Sequence, residues 1–449
     1  MITLKQAAAF CGGAVLPQYE QIAFTGAAID SRTVKPGQLF VALQGARDGH
    51  DFIPMAIEHG AAAALGERQL ADVPMIVVPD ARLALGAIAR HWREQMSCRV
   101  VGITGSVGKT TTKEMTAAVL QSTFQTHKTK KNFNNDLGLP MTILDIPPAC
   151  EAAVTEMGMN HLGEISYLTS IAQPDVAVIT NIGTMHIENL GSREGILRAK
   201  LEILEGLRPG GKVILNGDEP LLRAAKLPVK PLFFGIDTEC DLRAVQIELG
   251  QGFTRFIAEG FGQRIPIDLP VEGRHNVYDA LAAALVGLSL GVRPERIAKA
   301  LSFFRNTGDR QNVLEVGGYT LIADCYNAGP ESVAAALAVL RARRTPGRRV
   351  AVLGDMLELG DHAPAAHTEM GRRAAEAADL VLLYGPMSRL AAVAAGEKAL
   401  HFETHEDLVR CLRERTAPGD LILFKGSHGM HMERALELFT KEIETEEAP

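Results

Sequence analysis

The stretch VVGITGSVGKTTTKEM, residues Val100–Met115, decides how this chain is interpreted. Its β-branched start predicts a buried strand, and the run from Lys109 onwards is compatible with a helix. Glycines separate the two, although Ile103 occupies the position where the pattern G-x-x-x-x-G-K-[ST] requires a glycine. Glycines allow backbone N–H groups to turn towards phosphate oxygens, and the N-terminus of a helix attracts an anion. The stretch therefore predicts a loop that binds a nucleoside triphosphate.

The candidate nucleotide-binding residues belong to this loop and to the first turn of the helix. Lys109 can reach the β- and γ-phosphates, and the Thr110 hydroxyl can bind Mg²⁺. The alternative interpretation is a tight turn from strand to helix with an incidental lysine. The full set is Gly105, Ser106, Val107, Gly108, Lys109, Thr110 and Thr111.

Length and composition restrict the class of protein. A chain of 449 residues is expected to form about three domains. The net charge of −7 and the lack of a long basic cluster argue against nucleic acid as the main partner. No apolar run reaches the roughly 20 residues that a membrane span requires, and the start shows no signal-peptide pattern. The six cysteines are widely spaced, which favours reduced thiols and a cytoplasmic protein over disulfides or a zinc site.

The chain reads as three blocks, 1–98, 99–308 and 309–449. The first mixes short strands with alanine-rich helical segments such as FIPMAIEHGAAAALG. The other two alternate apolar strands with helices, which predicts mostly parallel sheets covered by helices. The predicted fold class is α/β with three domains, including a central P-loop parallel-sheet ATPase domain and a C-terminal Rossmann-like, doubly wound domain.

The nucleotide-binding loop alone fits kinases, motor proteins, GTPases and ligases, so other motifs must distinguish them. Further stretches follow it in order: KNFNNDLGLP, TEMGMNHLGEI, TNIGTMHIENLGSREGILRAKLEIL, GRHNVYDALAAA and LGDMLELG. Together with the loop, these stretches resemble the Mur ligases of bacterial cell-wall synthesis. The likeness runs from IDSRTVKPGQLFVALQG to KGSHGM and covers essentially the whole chain.

The resemblance implies an ATP-dependent amide ligase of peptidoglycan precursor synthesis. It implies that D-alanyl-D-alanine is joined to UDP-N-acetylmuramoyl-tripeptide through an acyl phosphate. The first domain would bind the UDP-muramoyl substrate, the central domain ATP and two Mg²⁺, and the third domain would close over both. We expect a monomer. Two alternatives remain open: another Mur-type ligase or a folylpolyglutamate synthase, and a P-loop NTPase that is not a ligase.

Three residues join Thr110 as candidate metal ligands. Glu156 ends a predicted strand, where a carboxylate that faces the nucleotide loop suits Mg²⁺. His186 follows another strand; a lone histidine is usually structural, but the resemblance implies a second metal site here. Spacing alone makes Lys200 a solvated lysine on an amphipathic helix. The resemblance implies instead that CO₂ carbamoylates its amine to give an anionic ligand, so His186 and Lys200 join Lys109 as catalytic candidates.

Further candidates surround the nucleotide. His275 and Asn276 offer polar groups to an adenine ring, and the alternative for Asn276 is helix capping. Asp279 stands where the family usually has asparagine, which leaves the base contact there open. Arg310 can reach the γ-phosphate and stabilise charge that develops during transfer. By resemblance, Asp324 belongs with the catalytic residues.

The candidate substrate-binding residues come from all three blocks. The resemblance assigns Ser31 and Arg32 to the UDP end of the substrate, although in isolation they read as an ordinary turn. Asn134 and Asn135 lie in KNFNNDLGLP, and Asn327 lies in the third block. These assignments rest on the resemblance, because spacing alone gives them no role.

Overall fold

A separate sheet organises each block of the chain in the computed structural model, which describes residues 1–306, 308 and 310–447. In the first block, the five-stranded sheet has the order β2-β7-β6-β5-β4, and only β2 and β7 pair antiparallel. Its strands are β2 (Ala14–Val15), β4 (Ala27–Ala28), β5 (Leu39–Val41), β6 (Ala63–Gly66) and β7 (Met75–Val77). Two further strands, β1 (Ile2–Thr3) and β3 (Ala23–Phe24), form a small antiparallel sheet of their own. The helices are α1 (Leu4–Cys11), α2 (Ile53–Glu58) and α3 (Ala81–Glu94).

The helical prediction for FIPMAIEHGAAAALG is wrong in its second half. Helix α2 ends at Glu58, and Ala63–Gly66 forms strand β6, in which every residue is buried. Strand β6 lies between β5 and β7, where both faces are covered. Burial inside a parallel sheet outweighs the helix propensity of alanine, because a continuous apolar run suits such a strand.

The central block forms a nine-stranded sheet with the order β16-β15-β14-β13-β12-β11-β8-β10-β9. Its strands are β8 (Arg99–Thr104), β9 (Thr126–Lys128), β10 (Ala152–Glu156), β11 (Val176–Ile179), β12 (Lys212–Asn216), β13 (Leu232–Gly235), β14 (Leu242–Gly250), β15 (Phe253–Gly260) and β16 (Gln263–Leu269). Strands β8 to β14 are parallel, as the sequence predicts. The antiparallel β14–β16 extension is not predicted from the sequence.

Helices cover both faces of the central sheet. Side chains of α4 and α10 pack on Val101 and Ile103, whereas those of α6 and α8 share a core with Val100 on the opposite face. The helices of this block are α4 (Lys109–Gln121), α5 (Gly138–Leu144), α6 (Glu164–Ala172), α7 (Ile187–Leu190), α8 (Arg193–Leu201), α9 (Pro220–Ala224), α10 (Arg274–Ser289) and α11 (Pro294–Ser302).

The third block is a doubly wound sheet, which confirms the predicted fold class. Its strand order is β17-β18-β22-β19-β20-β21, and only the edge strand β17 runs antiparallel. The strands are β17 (Asn312–Val316), β18 (Tyr319–Asp324), β19 (Arg349–Gly354), β20 (Leu380–Tyr384), β21 (Ala399–Phe402) and β22 (Leu421–Lys425). Helices α12 (Pro330–Ala342), α13 (Ala363–Ala377) and α14 (Ser388–Ala395) pack on one face, and α15 (His405–Arg415) and α16 (Met432–Glu447) on the other.

The predicted domain boundaries at 98/99 and 308/309 stay predictions, and Asp309 lies outside the described residues. Across the part of the chain that the structure describes, no helix is long and apolar enough to cross a membrane. Parallel strands β8, β10 and β11 place their carboxyl ends at one edge of the central sheet. Ligands of such sheets bind at this edge, so the loops that follow these strands position the site.

Candidate active site

Two glycines of the nucleotide-binding loop cannot be replaced without a clash. Gly105 has φ 149° and Gly108 has φ 84°, conformations that L-residues with side chains rarely adopt. A Cβ on Gly105 would lie 1.8 Å from Thr180 Oγ1, and one on Gly108 would lie 2.5 Å from Asp279 Oδ1. The loop thus passes close to β11 and α10, and its unusual glycine spacing follows from these two approaches.

Asn181, which follows strand β11, accepts hydrogen bonds from the loop. The N–H of Ser106 donates to the Asn181 carbonyl at 3.2 Å, and that of Val107 donates to Asn181 Oδ1 at 3.0 Å. These two loop donors therefore already have partners. The first four N–H groups of an α-helix have no intrahelical acceptor, which leaves those of residues 108–111 as the backbone donors for a phosphate.

Lys109 folds back over the loop. Its Nζ donates to the carbonyl of Gly105 at 2.9 Å and to that of Ser106 at 3.2 Å. Burial lowers the pKa of Lys109, and the carboxylate of Glu156 acts in the opposite direction. Lys109 lines the cavity, so the negative charge of a phosphate bound there would favour the charged amine and oppose this fall in pKa.

Glu156 is the centre of a group of polar contacts beneath the loop. Its Oε2 accepts from Thr110 Oγ1 at 2.9 Å, and its Oε1 accepts from Asn134 Nδ2 at 2.8 Å. Arg310 Nη2 donates to the same Thr110 hydroxyl at 3.0 Å, and Lys113 Nζ lies 3.8 Å from Glu156 Oε2. Neighbouring hydroxyl and carboxylate oxygens are the hard donors that Mg²⁺ prefers, so the residues present fit the predicted ion.

Lys200 is not a solvated lysine, and that alternative from helical spacing is wrong. The residue is 2% exposed, and no hydrogen-bond acceptor among the described residues partners its amine. Burial, with a smaller contribution from the charge of Lys109, holds the pKa of Lys200 well below its usual value. A buried, unpartnered amine favours the neutral form, which is the form that can react with CO₂.

His186 meets a carboxylate of the third block. Its Nδ1 lies 2.5 Å from Glu358 Oε2, a close contact in which the two groups are not aligned as a hydrogen bond. His186 holds the pKa of Glu358 below its usual value. The His186 ring thus lies at the boundary between the central and third blocks.

The adenine candidates cluster at the start of α10. His275 Nε2 lies 3.1 Å from Gln311 Oε1, and Asn276 Nδ2 donates to the Glu272 carbonyl at 2.7 Å. The N-cap of this helix is Gly273, so the capping alternative for Asn276 is wrong. Burial lowers the pKa of His275.

Asp279, on the same helix, is a buried carboxyl group next to the nucleotide loop. Its Oδ1 accepts from Thr112 Oγ1 at 2.6 Å. Burial raises the pKa of Asp279 to about 7, against the opposing effects of Thr112 and Arg310. The side chain is therefore protonated in much of the population near neutral pH, when it can donate a hydrogen bond as an amide does.

The third-block candidates are held by a buried lysine, Lys425, that is not among the residues predicted from the sequence. Lys425 Nζ donates to Asp324 Oδ2 at 2.7 Å and to the Asn327 carbonyl at 2.9 Å. The guanidinium carbon of Arg310 lies 3.9 Å from the centre of the Tyr326 ring. Lys425 ends strand β22 next to Asp324, so its place at the carboxyl end of a predicted strand was a signal for it.

The first-block candidates differ from these. Ser31 is buried, with Oγ 3.3 Å from Met55 Sδ. Arg32 is 80% exposed and pairs with Asp30 at 2.8 Å. Neither Ser31 nor Arg32 lines the cavity that the other candidates share, so the structure does not bring them to that site.

A cavity of about 1280 Å³ joins the three blocks. Arg82 and Leu83 border it from the first block. Among the candidates, Gly105 and Lys200 lie outside its lining together with Ser31 and Arg32. The candidates that line it are Ser106, Val107, Gly108, Lys109, Thr110, Thr111, Asn134, Asn135, Glu156, His186, His275, Asn276, Arg310, Asp324 and Asn327. Polar lining residues that were not predicted from the sequence include Arg193, Asp218, Tyr278, Glu331 and Lys425.

The cavity lacks an all-protein metal cage. Within residues 1–306, 308 and 310–447, no three histidine, cysteine, aspartate or glutamate side chains group together in a way that could hold a metal ion. Mg²⁺ commonly binds through one or two carboxylates plus substrate phosphates, so Glu156 and Thr110 still fit it. A second ion needs an additional oxygen ligand, which the unmodified amine of Lys200 does not supply.

Comparisons with known proteins identify the family. Residues 23–93 match the Mur ligase family, catalytic domain; residues 103–287 match the Mur ligase middle domain; and residues 309–428 match the Mur ligase, glutamate ligase domain. A relative from Bacillus subtilis, named UDP-N-acetylmuramoyl-tripeptide–D-alanyl-D-alanine ligase, is 41% identical over 97% of each chain. The chain belongs to the Mur ligase family. A relative with the same name from Escherichia coli is 36% identical to this Mur ligase, again over 97% of each chain.

Solved structures agree with the whole arrangement. The crystal structure of MurF from Acinetobacter baumannii has a TM-score of 0.88 and 34% identity, with 98% of each chain covered. MurF ligase from Thermotoga maritima, solved in complex with ADP, has a TM-score of 0.82 and 32% identity, with 94% of this Mur ligase and 98% of that chain covered. The fold of this Mur ligase is therefore shared over nearly its full length.

Proposed function

We propose that this Mur ligase uses ATP to join D-alanyl-D-alanine to UDP-N-acetylmuramoyl-tripeptide in the cytoplasm, as a monomer. The relatives that carry this activity in their names support the proposal through their full-length similarity. The observation that carries it in the structure is one cavity, bordered by all three blocks, into which Lys109, Glu156 and Arg310 converge. Three reactants need such a shared cavity, because each must meet the others while water is excluded.

The reaction proceeds in two balanced steps. The terminal carboxylate of the tripeptide attacks the γ-phosphorus of ATP, the bond to the β-phosphate oxygen breaks, and ADP leaves. The amine of D-alanyl-D-alanine then attacks the carbonyl carbon of the acyl phosphate. The tetrahedral intermediate expels phosphate, the departing phosphate accepts the proton of the former amine, and the new amide remains.

The residues of the cavity answer the electrostatic problem of bringing a carboxylate to a triphosphate. Lys109 and Arg310 place two positive side chains at the loop, and the first turn of α4 adds backbone donors. Thr110 and Glu156 would hold Mg²⁺, which supplies further charge neutralisation at the phosphates when bound. The protein supplies no nucleophile, because both nucleophiles come from the substrates; its side chains bind and orient the reactants and offset their negative charge.

Carbamoylation of Lys200 would complete the second metal site. The neutral amine attacks CO₂ and releases one proton. The product is a negatively charged carbamate with two hard oxygens. Two observations support this assignment. Burial lowers the pKa of Lys200, and the amine has no hydrogen-bond acceptor among the described residues. His186 would be the second protein ligand of that ion.

The remaining candidates bind the substrates. His275 and Asn276 would contact adenine, while Asn134, Asn135, Asp324 and Asn327 would orient the peptide reactants. Ser31 and Arg32 would hold the uridine diphosphate, which extends from the shared cavity towards the first domain. Their absence from the lining of that cavity is compatible with this role, because UDP lies at the end of the substrate farthest from the reacting carboxylate.

A phosphate-release assay tests the proposal. The enzyme is incubated with ATP and UDP-N-acetylmuramoyl-tripeptide, with and without D-alanyl-D-alanine, and free phosphate is followed. Sustained release is expected only when both acceptor and dipeptide are present. Sustained hydrolysis of ATP alone would favour a non-ligase P-loop NTPase, and release driven by a single amino acid would favour another Mur-type ligase or a folylpolyglutamate synthase.

A further inference from the structure

The motif LGDMLELG, residues 353–360, has no role in the mechanism so far, yet its loop is tightly built. Asp355 anchors the loop at its start: its carboxylate accepts from the N–H of Met387 at 3.0 Å and from that of Ser388 at 2.7 Å, and from the Ser388 hydroxyl at 2.5 Å. All three donors come from the beginning of α14. The loop after β19 is therefore fixed to its own domain.

Two further contacts extend this support along the loop. The N–H of Met356 donates to His367 Nε2 at 3.0 Å, and the N–H of Leu357 donates to Ser427 Oγ at 2.9 Å. The side chain of the next residue, Glu358, contacts the central block. Three successive residues with partners inside the third block thus hold Glu358 in place. We call residues 355–360 the arm.

Glu358 spans the boundary between the central and third blocks. Its Oε2 lies 2.5 Å from His186 Nδ1, and its carbonyl accepts from the N–H of Glu188 at 3.4 Å. Gly360 lies against Glu188 so closely that a Cβ there would approach Glu188 Cγ to 3.2 Å. The arm and the segment around His186 therefore form one contact surface.

Both residues of the pair have a backbone conformation that non-glycine residues rarely adopt. His186 and Glu358 each have φ 63°. Such a conformation costs free energy and persists where the surrounding structure holds it in place, often at functional sites. Here the two residues with this conformation are the two whose side chains meet across the boundary.

We propose that Glu358 is a positioning residue that fixes the ring orientation and tautomer of His186 when the third domain docks on the central domain. The Nδ1 proton is not aligned with the carboxylate in the structure, but a rotation of the ring would align it and leave Nε2 as the nitrogen with a free lone pair. Carboxylates commonly orient metal-binding histidines in this way. The inference rests on the proposed function, because it gives His186 a reason to be oriented. It ties a competent histidine to docking of the third domain.

The ring nitrogens of His186 report this role in protein free of metal and nucleotide. In ¹⁵N-histidine-labelled enzyme, the His186 signals are assigned by their loss in His186→Gln. We expect the Nδ1-protonated form in the wild type and a mixture of tautomers in Glu358→Ala. Glu358→Gln should keep the wild-type pattern, because its amide oxygen still accepts from Nδ1. Identical His186 signals in the wild type and in Glu358→Ala would overturn the proposal.

Glu188→Gln is the matched control, because Glu188 lies on the same contact surface and its side chain packs on Gly360 rather than on His186. It should leave the His186 signals unchanged. In the ligation assay, Glu358→Ala should raise the Mg²⁺ concentration for half-maximal rate by about 10- to 100-fold, as for other residues that orient a ligand. Glu358→Gln should lie within a few-fold of the wild type, and Glu188→Gln should match it.

Failure of this inference can be told from failure of the proposed function. If the wild-type enzyme forms no amide, the proposed function fails, while the ring-nitrogen spectra still decide whether Glu358 orients His186. If ligation proceeds but Glu358→Ala has wild-type Mg²⁺ dependence, only the role of Glu358 is wrong. An equal change in Glu188→Gln would assign the effect to general packing of the contact surface and would also overturn the inference.

Discussion

The nucleotide-binding edge of the central sheet and the turn at Asp30–Arg32 both carry charged side chains, but they are built differently. At the sheet edge, the Thr110 hydroxyl contacts Glu156, 46 residues away, and Arg310, 200 residues away. In the turn, Arg32 pairs with Asp30, two residues away, and the arginine side chain is 80% exposed. The first arrangement requires the complete fold, and the second does not.

This difference separates two kinds of evidence for a binding site. A buried charge costs free energy unless it has partners, so a fold that gathers several from distant segments indicates a function for them. An exposed pair two residues apart contributes little to stability, and its geometry does not indicate a ligand. The sheet edge thus supports its assignments physically, whereas those of Ser31 and Arg32 depend on family resemblance.

Replacement of Lys200 should give the largest effect at the sheet edge. Loss of a metal ligand removes several kcal/mol of charge stabilisation, so Lys200→Ala should lower kcat by about 10³-fold. The rate is measured as phosphate release with all three substrates. Acetate should restore part of the activity, because it offers the same pair of oxygens as the missing carbamate.

Lys200→Arg is the control for this prediction. Its guanidinium stays positive and cannot react as the neutral amine does, so it should be inactive and should resist rescue by acetate. Removal of bicarbonate and CO₂ should weaken the wild-type enzyme. Near-native turnover of Lys200→Ala would place Lys200 outside the reaction and would end the carbamate assignment.

Lys109→Ala should reduce kcat by about 100- to 1000-fold, because it removes a preorganised positive group from the phosphates. The fold should persist, since the amine contacts only two loop carbonyls. Thermal unfolding followed by circular dichroism checks this point alongside the rate. Loss of a cooperative transition would mean that Lys109 is structural.

Replacement of Asp279 tests whether burial at the sheet edge raises the pKa of its carboxyl group. Its pKa is about 7 in the native protein and about 3.8 in the unfolded chain, so the native state retains the proton over a wider range. This group's contribution to stability is complete below pH 3.8 and is lost as the pH rises towards 7. Asp279→Asn has no proton to lose there, and should be more stable than wild type at pH 8 by roughly 2 to 4 kcal/mol.

Chemical unfolding of Asp279→Asn and wild type at pH 5, 6, 7 and 8 measures this difference. The difference between the free energies of unfolding of the two proteins should increase with pH. A constant difference would show that Asp279 titrates normally despite its burial, and would weaken the contrast between buried and exposed charges.

The exposed turn should give the smallest effects. Arg32→Ala should change the free energy of unfolding by less than about 0.5 kcal/mol, because its ion pair is exposed and local. If Arg32 binds the UDP end of the substrate, KM for UDP-N-acetylmuramoyl-tripeptide should rise while kcat stays unchanged. A fall in kcat as large as that of Lys109→Ala would show that an exposed, locally paired side chain can be as important for catalysis as the residues at the sheet edge.

Much of the fold follows from the sequence. Strands at Arg99–Thr104, Ala152–Glu156 and Val176–Ile179 were predictable because apolar, β-branched runs suit buried parallel strands. Ala63–Gly66 was not, since alanine favours helices and only its neighbours β5 and β7 make it a strand. The antiparallel strands β14 to β16 also escaped prediction.

The candidate site was predictable where it is local and was missed where it is tertiary. The loop around Lys109 was predictable from the sequence, because its glycines and lysine lie close together in the chain. Helical spacing could not reveal that Lys200 is buried, since an amphipathic helix leaves the burial of one lysine to the packing around it. The contact between His186 and Glu358 joins two domains, so no local pattern could indicate it.

In the proposed reaction, the tripeptide carboxylate, rather than water, receives the phosphoryl group at this sheet edge. Labelling the reacting carboxylate of UDP-N-acetylmuramoyl-tripeptide with ¹⁸O tests it most directly, with the released phosphate analysed by mass spectrometry. An acyl phosphate predicts one ¹⁸O atom in each phosphate for each amide formed, because the bridging oxygen leaves with the phosphate. Unlabelled phosphate, formed in step with the amide, would contradict the account.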